Sequence, residues 1–212
     1  MQTDQLIADL ASQATRPKNQ FTLPLWLAVA LAPFVALAVF MPMLGPRANF
    51  VASLATVRFD MKFVVTGLLA VTALALLAAL ARPARPVAYR LKWLALPTLM
   101  LLAAVVVELL VVPEAAWAER AVGQNARNCL IAIPTMGAPV LALFLYALSD
   151  QAPTRPALSG AVAGLAAAGI SAIFYAAHCP DDSPLFVAVW YPLATAILVV
   201  GGAGVGSRLL RW

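Results

Sequence analysis

The chain has 212 residues, of which 63% are hydrophobic and 11% charged, with 14 Lys and Arg against 9 Asp and Glu for a net charge of +5. An ordinary soluble domain carries about 25% charged residues, so this composition excludes a typical water-soluble globule. The excess of basic residues falls between long apolar runs rather than on a face, which reads as a membrane topology signal and argues against direct nucleic-acid binding.

The first 22 residues form the one extended polar segment before the apolar runs begin. Thr3 is placed to cap a short helix that carries Asp4 in its first turn. Leu6, Ile7, Leu10, Ala11 and Ala14 then share one face before Pro17 ends the pattern. A helix of about 12 residues is marginal alone in water, so this one is expected to dock, either on its own membrane or on a protein partner.

Six apolar runs follow, at 23–44, 61–81, 93–112, 129–148, 157–177 and 185–206. Since roughly 20 apolar residues cross a bilayer core, each is long enough to span, and helices are the spanning choice because lipid cannot pair an open sheet edge. The expected fold is therefore all-α, a six-helix transmembrane domain over 23–212 behind a segment 1–22. The first run is longer than a signal-peptide core and is expected to be retained. With the termini inside, inner segments hold nine basic residues and outer ones five (Arg47, Arg58, Lys62, Arg120 and Arg127), so both termini are expected to be cytoplasmic.

Cys129 begins the fourth run and Cys179 follows the fifth, with no other cysteine in the chain. Two legs of roughly 30 Å, one inward and one back, return Cys179 to the depth of Cys129. The charge argument puts both on the outer side, where disulfides persist. Three readings stay open at this stage: two unrelated buried thiols, a structural or switching disulfide, and a metal site in which His178 joins Cys129 and Cys179. The following Asp181-Asp-Ser-Pro184 reads as a turn and helix start.

Glu108 lies in the third run about a turn from its outer end, which leaves it either functional or simply water-reaching. Gly160, Gly164, Gly202 and Gly206 give the small-xxx-small spacing of close helix contacts. No catalytic constellation emerges, and no resolving Cys-x-x-Cys, so the chain is expected not to be an enzyme and to need no cofactor beyond a transition-metal ion as inducer. A transporter or channel using Glu108, or a thiol oxidoreductase turning over with a quinone, are the alternatives.

Cys129-Leu-Ile-Ala-Ile-Pro134, Ala152-Pro-Thr-Arg-Pro-Ala-Leu-Ser-Gly160, Tyr175-Ala-Ala-His-Cys-Pro-Asp-Asp-Ser-Pro184, Trp190-Tyr191 and Arg208-Leu-Leu-Arg-Trp212 resemble the NrsF family of polytopic anti-sigma factors. The resemblance is closest over 129–212, extends in part to Thr3–Leu10, and is loose over 45–128. It implies a six-span bacterial inner-membrane protein that restrains an extracytoplasmic-function sigma factor and answers a stress signal. It also implies that Cys129 and Cys179 are the family's two outward-facing sensing cysteines, and that Leu6, Ile7 and Leu10 lie in the prefix that holds the sigma factor.

The topology is directly testable. A reporter active only in the cytoplasm should work when fused after Trp212 or within Pro83–Tyr89, and one active only outside should work within Trp117–Gln124; the reverse pattern would put both thiols in a reducing compartment.

Overall fold

The structure, a computed structural model, describes residues 3, 5, 7, 23–82, 87–151 and 153–211. Among these it is helical with no strands, and six helices are long and apolar enough to cross a membrane. We number their main bodies α1 (Leu25–Met43), α2 (Val57–Leu80), α3 (Ala95–Val111), α4 (Ala126–Ser149), α5 (Pro156–His178) and α6 (Pro184–Leu209). Short helical turns at Phe50–Ser53, Val87–Trp93, Glu114–Ala116 and Trp117–Val122 join them. Thr3, Gln5 and Ile7 are helical, so Thr3 lies within a turn rather than capping it, and Ile7 is exposed. Leu6 and Leu10 lie outside the described residues.

The helices run beyond the apolar stretches at several ends. α2 starts at Val57, four residues before its apolar run, and so takes Arg58 and Asp60 into helix. The third span is broken at Leu94. Pro97 explains the break, since a proline donates no bond to the carbonyl four residues back, which is that of Trp93, the last residue of the preceding turn. Arg90 in that turn donates from Nη1 to the Ala75 carbonyl at 3.1 Å and ties it to α2.

Lipid tails are as apolar as leucine, so helix association in a membrane depends on close packing rather than on water exclusion. α5 supplies it. Ala163, Ala166, Ala167, Ala168 and Ser171 are all fully buried on this helix, which packs against α1, α2, α4 and α6. A Cβ on Gly160 would strike the Gly202 carbonyl, and one on Gly164 the Leu198 carbonyl, so α5 and α6 meet backbone to backbone. Gly169 makes the equivalent approach to Ala70 of α2. The large apolar side chains of α3 point the other way, with Leu99, Val107, Leu110 and Val111 exposed on the rim.

Contacts between helix ends fix the directions. The segment after α1, the first turns of α2, α4 and α6, and the last turns of α3 and α5 all meet at one end through the bonds described below. The six helices therefore alternate up and down, and we call this the cysteine end.

Gly160→Leu should destabilise the bundle by about 3 kcal/mol, because a backbone neighbour cannot rotate away as a side chain can. Gly204→Ala meets nothing within 4 Å and should be neutral or slightly stabilising. Thermal unfolding of the purified chain in detergent separates the two.

Candidate functional site

The cysteine end is organised by a buried ammonium. Lys62 sits in the second turn of α2 with its side chain 1% exposed, and an unpaired charge there would be strongly unfavourable. Its Nζ lies 2.6 Å from Asp182 Oδ1 and donates to the Cys179 carbonyl at 2.8 Å. Arg47, from the segment after α1, reaches the same two groups. Its Nη1 donates to Asp182 Oδ2 at 3.1 Å and to the Cys179 carbonyl at 3.4 Å, while its guanidinium lies 4.3 Å from the centre of the Phe59 ring. Phe59 is one turn before Lys62 and is itself packed edge-on by Phe50 and Phe63, so an aromatic floor positions both cations.

A second cluster closes the side towards α3. Glu108, 4% exposed, pairs through Oε2 with Arg58 at 2.8 Å and through Oε1 with Arg120 at 2.7 Å, and Ser183 Oγ lies 3.4 Å away. Arg58 and Arg120 are partly solvated, so these pairs are screened more than the Lys62 pair. Glu108 is thus committed to two arginines, and the transporter reading loses its free intramembrane carboxylate.

Asp181 makes the third connection. One oxygen accepts from the backbone N–H groups of Gln124 and Asn125 at 3.1 and 2.9 Å and from Asn125 Nδ2 at 3.0 Å. The chain can turn there because Gly123 has φ +59°, and a Cβ would collide with the Phe186 ring. Trp190 Nε1 donates to the Ala121 carbonyl at 2.9 Å and holds the same turn to α6. Ser183 caps α6 by accepting from the Leu185 N–H, as the Asp-Asp-Ser-Pro turn predicts.

Cys129 and Cys179 are both fully buried within this end and are free thiols. Cys129 lies in the first turn of α4 and Cys179 directly after the last turn of α5. The Asn125 carbonyl accepts from the Cys129 N–H at 2.8 Å and from the Tyr175 hydroxyl at 3.2 Å. The depth arithmetic from the sequence thus agrees with their position at one end of the bundle. Burial pushes the Cys179 thiol up from its ordinary value, against the opposing pull of Lys62, so the group is protonated at neutral pH rather than a reactive thiolate.

His178 departs from the metal reading. Its Nδ1 lies 2.9 Å from the Gly45 carbonyl, and among the described residues no three His, Cys, Asp or Glu gather into a set that could hold a metal ion, so Cys129, Cys179 and His178 do not form one. The histidine instead joins Arg47, whose N–H bonds the Ala177 carbonyl at 3.2 Å, in fastening the end of α1 to the end of α5. Hydropathy reasoning treats Arg47, Arg58, Lys62 and Arg120 as topology charges. All four are ion-paired, Arg47 and Lys62 to Asp182 and Arg58 and Arg120 to Glu108, pairings that the sequence reading missed.

Residues 10–212 match the family NrsF, described as "Negative regulator of sigma F". The chain is 43% identical over 90 residues to the anti-sigma-F factor NrsF of Caulobacter vibrioides (strain NA1000 / CB15N), covering 42% of each chain. It is 38% identical over 90 residues, again 42% of each, to the probable anti-sigma-F factor NrsF of Azospira oryzae (strain ATCC BAA-33 / DSM 13638 / PS). Each alignment thus spans under half the length of the curated relative. No solved structure matches.

Removing one partner of a buried pair leaves the other charge uncompensated at about 3 to 5 kcal/mol. Asp182→Asn strands both Lys62 and Arg47 and should therefore lower thermal stability more than Lys62→Met, which leaves Arg47 with its partner. A Lys62→Met, Asp182→Asn double variant that is no worse than Asp182→Asn alone would show the coupling.

Proposed function

The chain belongs to the NrsF family, and from that membership we propose that it is an anti-sigma factor of the bacterial inner membrane. Residues 1–22 hold a sigma factor of the extracytoplasmic-function class away from core RNA polymerase, and residues 23–212 anchor and control that segment. Leu6, Ile7 and Leu10 form its contact face; the exposure of helical Ile7 supports this, since an apolar side chain at a helix surface is available to a partner. Leu6 and Ile7 precede the residues that match the family and Leu10 is the first of them, so the assignment rests on their pattern and on the partial resemblance of Thr3–Leu10.

The observation that carries the reading is the fastening of α1 to the Cys179 loop. α1 begins just after the N-terminal segment and, at about 1.5 Å per residue, delivers its far end to the cysteine end some 28 Å away. There Gly45 meets His178, and Arg47 meets Ala177, Cys179 and Asp182. A change at Cys179 has a rigid element through which to reach the sigma-binding segment.

The signal is a redox or soft-metal event at Cys129 and Cys179. Because Cys179 is buried and protonated, the event must accompany opening of this end, which gives two states rather than a graded response. Shifting such an equilibrium from 1:99 to 99:1 takes about 5.5 kcal/mol. For a disulfide this is on the order of 120 mV between the two states, within the spread of protein dithiols.

Leu6→Asp with Leu10→Asp should abolish capture of the sigma factor from solubilised membranes while leaving insertion unchanged, since each buried side chain contributes roughly 1.5 to 3 kcal/mol. Cys129→Ser, Cys179→Ser and the double variant should share one signalling state. Full restraint by the Leu6, Leu10 variant would remove the contact face, and a normal stress response in the double cysteine variant would remove the switch.

A further inference from the structure

At the end of the bundle opposite the cysteines, a groove of about 350 Å³ opens between α2 and the short helical turn Val87–Trp93. Val71, Thr72 and Ala75 form its α2 wall, and Tyr89, Arg90 and Trp93 form the other. The Arg90 guanidinium is fixed against the α2 wall, because its Nη1 donates at 3.1 Å to the carbonyl of Ala75. Thr72 offers no second acceptor, since its hydroxyl is engaged with the Leu68 carbonyl at 2.7 Å. A guanidinium has five N–H donors, and among the described residues this one meets a single carbonyl and no carboxylate.

The two ends of the bundle therefore differ in charge. At the cysteine end Arg47, Arg58, Lys62 and Arg120 each have a carboxylate partner. The chain that builds the groove, from residue 61 to 107, holds no Asp or Glu, while exposed Arg82 follows α2 and exposed Lys92 lies two residues beyond Arg90. Depth matters as well. α2 has 24 residues where about 20 cross a hydrocarbon core, and Ala75 is five residues, about 7 to 8 Å, before Leu80 at its end. Arg90 thus lies where acyl chains give way to headgroups. Tyr89 and Trp93, both exposed and edge-on at 6.1 Å, are side chains that favour the same boundary.

We propose that this groove binds an anionic phospholipid of the adjoining leaflet, its phosphate accepting from the remaining N–H groups of Arg90 and one acyl chain lying along Val71 beside the Trp93 ring. A zwitterionic phospholipid brings the same phosphate together with an ammonium group, which Arg82 and Lys92 disfavour, so the site selects a net negative headgroup. Occupancy fastens the start of the third span to α2, at the end that Glu108 does not hold. The proposal does not rest on the sigma-factor role.

The full chain in non-ionic detergent is titrated with dioctanoyl phosphatidylglycerol, dioctanoyl phosphatidylcholine and inorganic phosphate, and bound lipid is counted by native mass spectrometry. One phosphatidylglycerol should be retained about tenfold more tightly than phosphatidylcholine, and millimolar phosphate should not displace it. Arg90→Gln should weaken retention about tenfold, and Val71→Trp, which fills the groove, should do the same. Arg208→Gln removes an equal charge from the last turn of α6 and should leave retention unchanged. Melting curves establish that each variant is folded, and Val71→Trp, at a position 64% exposed, decides alone if Arg90→Gln is not. Equal retention of the two lipids, equal losses in Arg90→Gln and Arg208→Gln, or displacement by inorganic phosphate would overturn the proposal. So would a lipid-free dimer whose interface covers Arg90.

Discussion

An ammonium group held out of water accepts few alternatives. Lys62 must find an anion and further acceptors, and it finds them in Asp182 and the Cys179 carbonyl, which lie 120 and 117 residues along the chain. Because Arg47 seeks the same two acceptors, one carboxylate and one carbonyl bind α1, α2, α5 and α6 together at a single point. The local dielectric makes this junction strong when complete and strongly unfavourable when broken, so it behaves as a unit. The loop from Cys179 to Ser183 is irregular backbone, which at such a depth is tolerated where protein groups satisfy it. Lys62 and Arg47 do so at the Cys179 carbonyl, while Gln124 and Asn125 hold the loop by the Asp181 side chain.

The remainder of the bundle follows a different rule. Along α5, glycine and alanine bring neighbouring backbones into contact, and little side-chain freedom is lost in forming that seam. α3 has almost no such seam and turns bulky side chains outward, so its attachment depends on Glu108 with Arg58 and Arg120 and on the arm from Arg90. The molecule thus has a tightly packed centre and a peripheral helix secured by polar bonds at its ends.

The number of helices and the pairing of the cysteines at one end were legible in the sequence, because both depend on quantities it carries directly: apolar length and rise per residue. The Asp181–Pro184 turn was legible for the same kind of reason, since capping is local. Helix ends were less so. The apolar run begins at Met61, whereas α2 starts at Val57 and takes in Arg58, whose partner Glu108 lies in α3. His178 illustrates the same limit: next to a cysteine it suggests a ligand, and only the fold reveals the Gly45 carbonyl opposite it. Long-range pairing leaves no periodic trace in a single chain.

The charge balance of the ion-paired end has an electrical consequence. Arg47, Arg58, Lys62 and Arg120 face Asp181, Asp182 and Glu108, which leaves a net of one positive charge. Carrying one elementary charge across an entire membrane yields only about 2.3 kcal/mol per 100 mV, and a group that shifts within a few ångströms of one edge crosses a small fraction of that field. Opening this end as a neutralised assembly is therefore nearly independent of the transmembrane voltage. Depolarisation of a membrane would therefore supply almost none of the work needed to open this end.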